Sequence, residues 1–301
     1  MKQITSKLFL LKLLTGTTLL LLSLSAANAV APNTKSVGTN WVDANGVSLR
    51  YELTGNGDDT LVLIHEMAMS LESWDLVMPE LTKNHRVLRY DLRGFGLSEK
   101  IRGAMTFTDE VEDLRGLLDV LEIKGKVTLI GGAIGGAISL AFAATYPDRV
   151  KGLIAMSPAT SVTPQRRVAV MADAALSDRT GMRTILAGQM PGLYPPDIRV
   201  SDERTNWFLN QERITDTTSM AACLRMIAST DFSDYYPKIT APTLVIAVGL
   251  YPQRPVETVK LVADAIKGAQ FQVLQTGHFI AAQSPELLLP VLNKFLATLP
   301  R

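Results

Sequence analysis

The stretch Val127–Gly136, read as V-T-L-I-G-G-A-I-G-G, constrains this chain more than any other. Four β-favouring residues run straight into glycines, and the small-residue helix pattern A-I-S-L-A-F-A-A (Ala137–Ala144) follows. The pattern specifies a strand, a very sharp turn and a helix. Gly131 and Gly135 stand two positions either side of Ala133, as they must if the turn leaves no room for side chains there.

The rest of the chain alternates in the same way. Trp41–Asp43 and Val47–Leu53 flank Ala44-Asn45-Gly46, and an Asn-Gly pair between two such runs predicts an antiparallel hairpin. Leu61–Ile64, Arg86–Tyr90, Val127–Ile130, Val150–Met156, Thr243–Ala247 and Phe271–Leu274 read as strands; short continuous apolar runs among them suit strands buried on both faces. Helices are expected at Leu71–Leu81, with Trp74 and Leu76 inward, and after Thr108, with Val111, Leu114, Leu117, Leu118 and Leu121 along one side. A further helix ends near Tyr146, where Pro147 stops it, and others span Pro255–Lys267 and Ser284–Leu299. The expected class is α/β, an eight-stranded, mostly parallel sheet with helices on both faces. Between Ala159 and Lys238 the alternation breaks, and Ala-, Met- and Arg-rich helical stretches are separated by Pro191-Gly192 and Pro195-Pro196. This segment reads as a helical cap at about 159–236. Its Met171, Met182, Met190, Met220 and Met226 either line a pliable apolar pocket or fill the cap's own core.

Residues 1–29 are set apart from this domain, which takes residues 30–301. Lys2, Lys7 and Lys12, the apolar run Leu13–Ser25 and the site Ala27-Asn28-Ala29 have the layout of a secretory signal peptide. Export to a periplasm or the cell exterior is expected, with no stable membrane anchor after cleavage. Without those three lysines, 27 Lys and Arg face 29 Asp and Glu, a net charge of −2. No basic stripe invites nucleic acid. The single cysteine, Cys223, excludes an intrachain disulfide and sits in a helical pattern as a buried apolar thiol. Three separated histidines and one cysteine make no metal-ligand cluster, and the glycine run lacks the G-x-G-x-x-G spacing of a dinucleotide site. No cofactor and no metal are expected; the partner is a small-molecule ligand or substrate.

Several stretches together resemble the α/β-hydrolase superfamily, of the capped esterase, lactonase and carbon–carbon hydrolase type. Leu61-Val62-Leu63-Ile64-His65 is similar to the strand leading into that family's oxyanion turn, and Tyr90–Ser98, Y-D-L-R-G-F-G-L-S, to its D-x-R-G-x-G-x-S turn. Tyr146–Val150, Ala241–Ile246 and Gly277-His278 resemble its helix-to-strand connection, the strand before its acid and the turn carrying its histidine. The Gly131–Gly135 stretch resembles its nucleophile elbow, G-x-S-x-G.

The resemblance implies a serine, a histidine, an acid and an oxyanion hole, and three of these places are altered here. Ala133 holds the serine's place, and a methyl group cannot attack a carbonyl. Tyr251 holds the acid's place, and a phenol of ordinary pKa ~10 stays neutral and cannot stabilise an imidazolium as a carboxylate does. Glu66 follows His65 where the family has glycine, and its charge would oppose a developing oxyanion. His278 alone is kept. The backbone N–H groups of Met67 and Ile134 remain available to a ligand oxygen. One expectation is therefore a binding protein that has lost serine chemistry and takes a small apolar, carbonyl-type ligand. Another is an enzyme with non-covalent chemistry using His278 with Glu66 or Tyr251 as proton handlers, and a third is a hydrolase whose serine has been replaced at Ala133 and whose acid comes from elsewhere, for example Asp231 or Asp234 near the cap's end. His65 is expected to close its turn, Ser139 and Ser157 are poor nucleophile candidates, and His85 is expected on the surface.

Overall fold

A computed structural model of the chain describes residues 40–160 and 163–300; the leader expected at 1–29 lies outside them. The eight strands are β1 (Asn40–Ala44), β2 (Val47–Thr54), β3 (Thr60–Ile64), β4 (Arg86–Tyr90), β5 (Val127–Gly132), β6 (Val150–Met156), β7 (Thr243–Val248) and β8 (Gln270–Leu274). They form one sheet in the order β1-β2-β4-β3-β5-β6-β7-β8. β1 and β2 make the expected hairpin, with Asn45 and Gly46 both at positive φ in its turn. β2 pairs antiparallel with β4, and the remaining pairs are parallel.

The period-2 alternation of the strands divides the core into two layers. Val62, Ile64, Leu88, Tyr90, Leu129 and Val245 face α2 (Phe107–Val120) and α3 (Ile134–Thr145), whereas Leu61, Leu63, Val87, Ile130, Ile154 and Ile246 pack with Trp74 and α10 (Pro285–Leu296). The segment expected as one helix over Leu71–Leu81 is instead a 3-10 turn, Leu71–Trp74, and a short helix, α1 (Met78–Leu81). Trp74 is fully buried, but Leu76 is 44% exposed. The cap for α2 is Thr106, not Thr108: the Thr106 hydroxyl accepts from the Asp109 N–H and the Asp109 carboxylate from the Thr106 N–H, a reciprocal capping box.

Between β6 and β7 lie four helices, α4 (Pro164–Ser177), α5 (Met182–Leu193), α6 (Asp202–Arg213) and α7 (Thr217–Ser229). Their apolar faces form a third cluster around Tyr194, Phe208 and Met220, packed on Ala68, Met69 and Phe279 of the sheet domain. Of the five cap methionines, Met182, Met220 and Met226 are buried and Met171 is 45% exposed. α8 (Val256–Ala265) and α9 (Ile280–Gln283) complete the set. Among the described residues no helix is long and apolar enough to cross a membrane.

Candidate functional site

β5 enters α3 through Ala133, whose backbone has φ 46° and ψ −109°. A residue with a Cβ avoids that region, at a cost of about 1–3 kcal/mol, so the surroundings must hold it there. Three backbone bonds do so: the Ala133 N–H donates to the Met156 carbonyl (2.9 Å), and the Ala133 carbonyl accepts from the N–H groups of Ala137 (3.1 Å) and Ala159 (2.8 Å). The flanking glycines are sterically required. A Cβ on Gly131 would lie 2.2 Å from the Gly135 carbonyl oxygen, and one on Gly135 would lie 2.1 Å from the Ile64 carbonyl oxygen. The elbow is thus built, strain included, around a methyl group.

The turn after β3 carries His65 and Glu66 in opposite circumstances. His65 is fully buried; its Nδ1 donates to the Glu66 carbonyl (2.6 Å) and its Nε2 accepts from the Leu92 N–H (2.9 Å). Both ring nitrogens are occupied and burial pulls the pKa down, so His65 locks the turn as a neutral ring and has no nitrogen left for a ligand. Glu66 is 1% exposed, and neither carboxyl oxygen has a hydrogen-bond partner. Burial pushes its pKa up to about 7. A Cβ on Gly132 would fall 2.3 Å from Glu66 Oε1, so the extra glycine of the elbow makes the room that the extra carboxyl fills. Met67 and Ile134, whose N–H groups were expected at the oxyanion position, both line the cavity described below. Ile134 is the first residue of α3, where an N–H has no helical acceptor.

His278 lies beyond β8 on the same cavity. Its Nδ1, the atom an acid would hold, is buried without a partner. Burial, reinforced by the Arg254 charge, pulls its pKa down to about 3, and the ring is neutral. Tyr251 stacks on it, with centroids 4.0 Å apart and ring planes at 22°. The phenol meets the imidazole face to face, and no Tyr251 or Glu66 hydrogen bond reaches Nδ1. Asp231 and Asp234 are exposed and neither lines the cavity, so the alternative acids of the cap's end are not brought to His278.

Sheet and cap enclose a cavity of about 510 Å³, within the usual range for a small-molecule site. Ala133, Met67, Ile134, His278 and Tyr251 line it together with apolar groups such as Val170, Ile185, Leu224 and Phe279. Met220 is the one cap methionine of the five on this wall. Four charged residues there escaped sequence reasoning: Glu212, Asp173, Arg166 and Arg254. Glu212 is 2% exposed with Oε1 unpartnered, and burial raises its pKa well above the carboxylate range, with the Glu66 charge adding to the effect. Burial also raises Asp173 and lowers Arg254 to about 10. Asn-Gln-Glu-Arg (210–213) and Pro-Gln-Arg-Pro (252–255) look like solvated helix and loop in sequence; only the folding of cap over sheet turns them inward. His85, expected outside, is half-buried with Nδ1 unpartnered, away from this cavity. Cys223 is fully buried. No group of three or more metal-ligating side chains occurs among the described residues.

With this geometry in hand, the relationships of the chain are plain. The profile of the alpha/beta hydrolase fold matches residues 59–285, and the chain belongs to that family. A 2-hydroxy-6-oxo-2,4-heptadienoate hydrolase of Pseudomonas putida is 37% identical over 117 residues, a match covering 38% of this chain and 42% of that enzyme, less than half its length. The pyrrolizixenacetamide deacetylase of Xenorhabdus hominickii is 26% identical over 85% of this chain and 97% of its own. Among solved structures, a thermophilic esterase from Thermogutta terrifontis superimposes with a TM-score of 0.79 at 28% identity, covering 86% of this chain and 98% of the esterase. The enol-lactonase of Burkholderia xenovorans superimposes with a TM-score of 0.78 at 26% identity, covering 86% of this chain and all of that one.

Proposed function

We propose that this protein is an exported member of the family that binds a small, largely apolar carbonyl-type ligand and has lost conventional serine-hydrolase chemistry. The observation that carries the reading is Ala133: the strained elbow presents a methyl group to a cavity whose histidine has no acid on Nδ1. Acyl transfer needs an oxygen nucleophile, and its base needs an oriented, charge-stabilised imidazole. The N–H groups of Met67 and Ile134, the neutral His278 ring and the Tyr251 phenol remain to meet a ligand carbonyl. Relatives named for hydrolysis of small molecules support the pocket's ligand class. The leader-like residues 1–29 support export to a periplasm or the cell exterior.

A second reading, acid–base catalysis without a covalent intermediate, is favoured by one observation: the Glu66 carboxyl, with a pKa of about 7, exchanges a proton near neutrality. The two part in a simple assay of the mature protein against short p-nitrophenyl esters. The binding reading expects no turnover above background. Turnover that disappears in His278→Ala overturns it and favours the enzyme. Ala133→Ser alone should stay about 10⁴-fold slower than Ala133→Ser combined with Tyr251→Asp, the loss seen when a triad lacks its acid. Fast hydrolysis by Ala133→Ser alone means that the machinery was otherwise complete.

A further inference from the structure

The polar wall of the cavity contains an uncompensated cation. Arg254 lies in the loop between β7 and α8, and its Nη1 donates to the Thr160 carbonyl at 3.1 Å. No carboxylate pairs with it among the described residues. The charged or polarisable groups acting on it are Tyr251, Arg166 and Tyr236, none of them a carboxylate. The two carboxyl groups on the cavity wall do not pair with it either: burial disfavours the charged form of Glu212, and Asp173 lies in the field of Arg166. Even with its pKa drawn down to about 10, the guanidinium is charged at neutral pH. The side chain is half-buried, and a partly desolvated charge with no counter-ion is a standing cost to the fold, so its free donors are open to a ligand.

We propose that Arg254 anchors a carboxylate carried by the ligand, which is therefore a small monocarboxylic acid whose apolar body lies among Val170, Ile185, Leu224 and Phe279. This deepens the binding reading above and rests on it. The guanidinium has five N–H donors and spends one on Thr160, leaving a planar edge for two carboxylate oxygens. The Tyr251 phenol and the neutral His278 ring lie within its electrostatic reach, which puts the anchored head beside the residues at the acid and base places. Arg166 lines the same cavity from an exposed position and supplies a second positive charge on the approach, which raises the local concentration of an anion. A single half-buried cation matches one negative charge; a phosphate dianion would leave a charge over, with Asp173 on the same wall.

Isothermal titration of the mature protein with trans-cinnamate, cinnamamide and phenyl phosphate tests this. Cinnamate should bind about tenfold or more tightly than the uncharged amide, as expected for hydrogen bonds to a charged group. Arg254→Met should abolish that preference, so that cinnamate and cinnamamide bind within about twofold of each other. A cooperative thermal transition of Arg254→Met, read by circular dichroism, shows that the variant is folded. Equal binding of cinnamate and cinnamamide to the parent overturns the anchor and leaves the apolar pocket standing. Binding of neither overturns the anchor and the pocket reading together. Tighter binding of phenyl phosphate than cinnamate overturns the carboxylate assignment, as does a cinnamate preference that survives in Arg254→Met.

Discussion

Two buried polar regions lie either side of the turn after β3, and they are built on opposite terms. On the β2–β4 side, Asp91 accepts from the Leu71 N–H (2.7 Å), the Leu97 N–H (2.8 Å) and Arg50 Nη1 (3.2 Å), and Arg50 also pairs with Glu72. Ser98 accepts from the Arg50 N–H and donates to the Asp91 carbonyl, and His65 uses both ring nitrogens. Within that group only Arg50 Nε is left over. On the cavity side, Oε1 of Glu212 and Nδ1 of His278 have no partner, Arg254 has one carbonyl and no counter-ion, and Glu66, which does not itself line the cavity, is buried beneath it with both oxygens unpartnered. Buried groups that hold a fold together are satisfied by the fold. Where such unsatisfied groups line a cavity, as Glu212 and His278 do, they are candidates for meeting a ligand, and their displaced pKa values are the electrostatic form of the same fact.

The sharpest way to break this contrast is to remove the centre of the satisfied region. Asp91→Ala strips acceptors from the buried Leu71 N–H and the part-buried Leu97 N–H and a counter-ion from Arg50, and should cost about 3–5 kcal/mol. In a domain of this size that is a fall in melting temperature of roughly 10 °C, read by circular dichroism. A fall below about 2 °C would mean that the network is not what holds the turn.

The unsatisfied region should show itself in pH instead. The Glu66 carboxyl has its pKa raised from 4.5 to about 7 in the fold; the native state then binds more protons than the unfolded chain between those values, and stability falls as pH rises through that window, by about 3 kcal/mol. His278 has its pKa lowered from 6.5 to about 3; the unfolded chain binds more protons between those values, and stability rises with pH over that range. The two slopes oppose each other between pH 4.5 and 6.5. Denaturant titrations at several pH values should therefore show Glu66→Gln gaining on the parent from pH 4.5 to 7, and His278→Gln losing to it from pH 3 to 6.5. Variants that track the parent in parallel would remove both groups from the unsatisfied set.

How much of this the chain announces depends on distance in sequence. L-V-L-I, T-L-V-I and the glycine-flanked V-T-L-I reveal the buried strands, because burial on both faces leaves a local apolar run. Gly131 and Gly135 reveal the elbow, because a backbone approach of about 2 Å excludes any Cβ. Short-range choices between near-equal signals were harder: Thr106 and Thr108 both precede acids, and only the reciprocal bond to Asp109 decides between them. The 3-10 turn at Leu71–Trp74 follows from the Leu71 N–H being held by Asp91, 20 residues on, which no local period contains. Ala133, Tyr251 and Glu66 were legible as departures from a family pattern. Glu212 and Arg254 were not, since nothing local distinguishes a polar helix face that the cap turns inward from one that stays wet.

A smaller effect tests whether Glu66 and Gly132 belong together. Gly132→Ala places a methyl group against Glu66 Oε1 and should cost about 1–3 kcal/mol by overpacking. Glu66→Gly vacates the space, and the double variant should recover most of that loss, a coupling of about 1 kcal/mol or more in a double-mutant cycle. Additive losses would mean that the glycine serves the turn alone.

The smallest effect asks what Tyr251 does where the family resemblance places an acid. If its hydroxyl stood in for a carboxylate, it would hold His278 Nδ1 and keep the imidazolium accessible. The rings instead stack at 4.0 Å, and Nδ1 is empty. Stacking is a property of the ring, which phenylalanine keeps, and a buried neutral histidine is set by desolvation more than by a phenol. Tyr251→Phe should therefore leave the His278 pKa within about half a unit of its depressed value, measured by NMR titration of the ring protons, and change stability by no more than about 0.5 kcal/mol. Tyr251→Asp at the same position should raise that pKa, because an opposite charge within reach favours the imidazolium. A marked shift in Tyr251→Phe, or none in Tyr251→Asp, would place the hydroxyl in the unsatisfied set and return a proton-handling role to this side of the cavity.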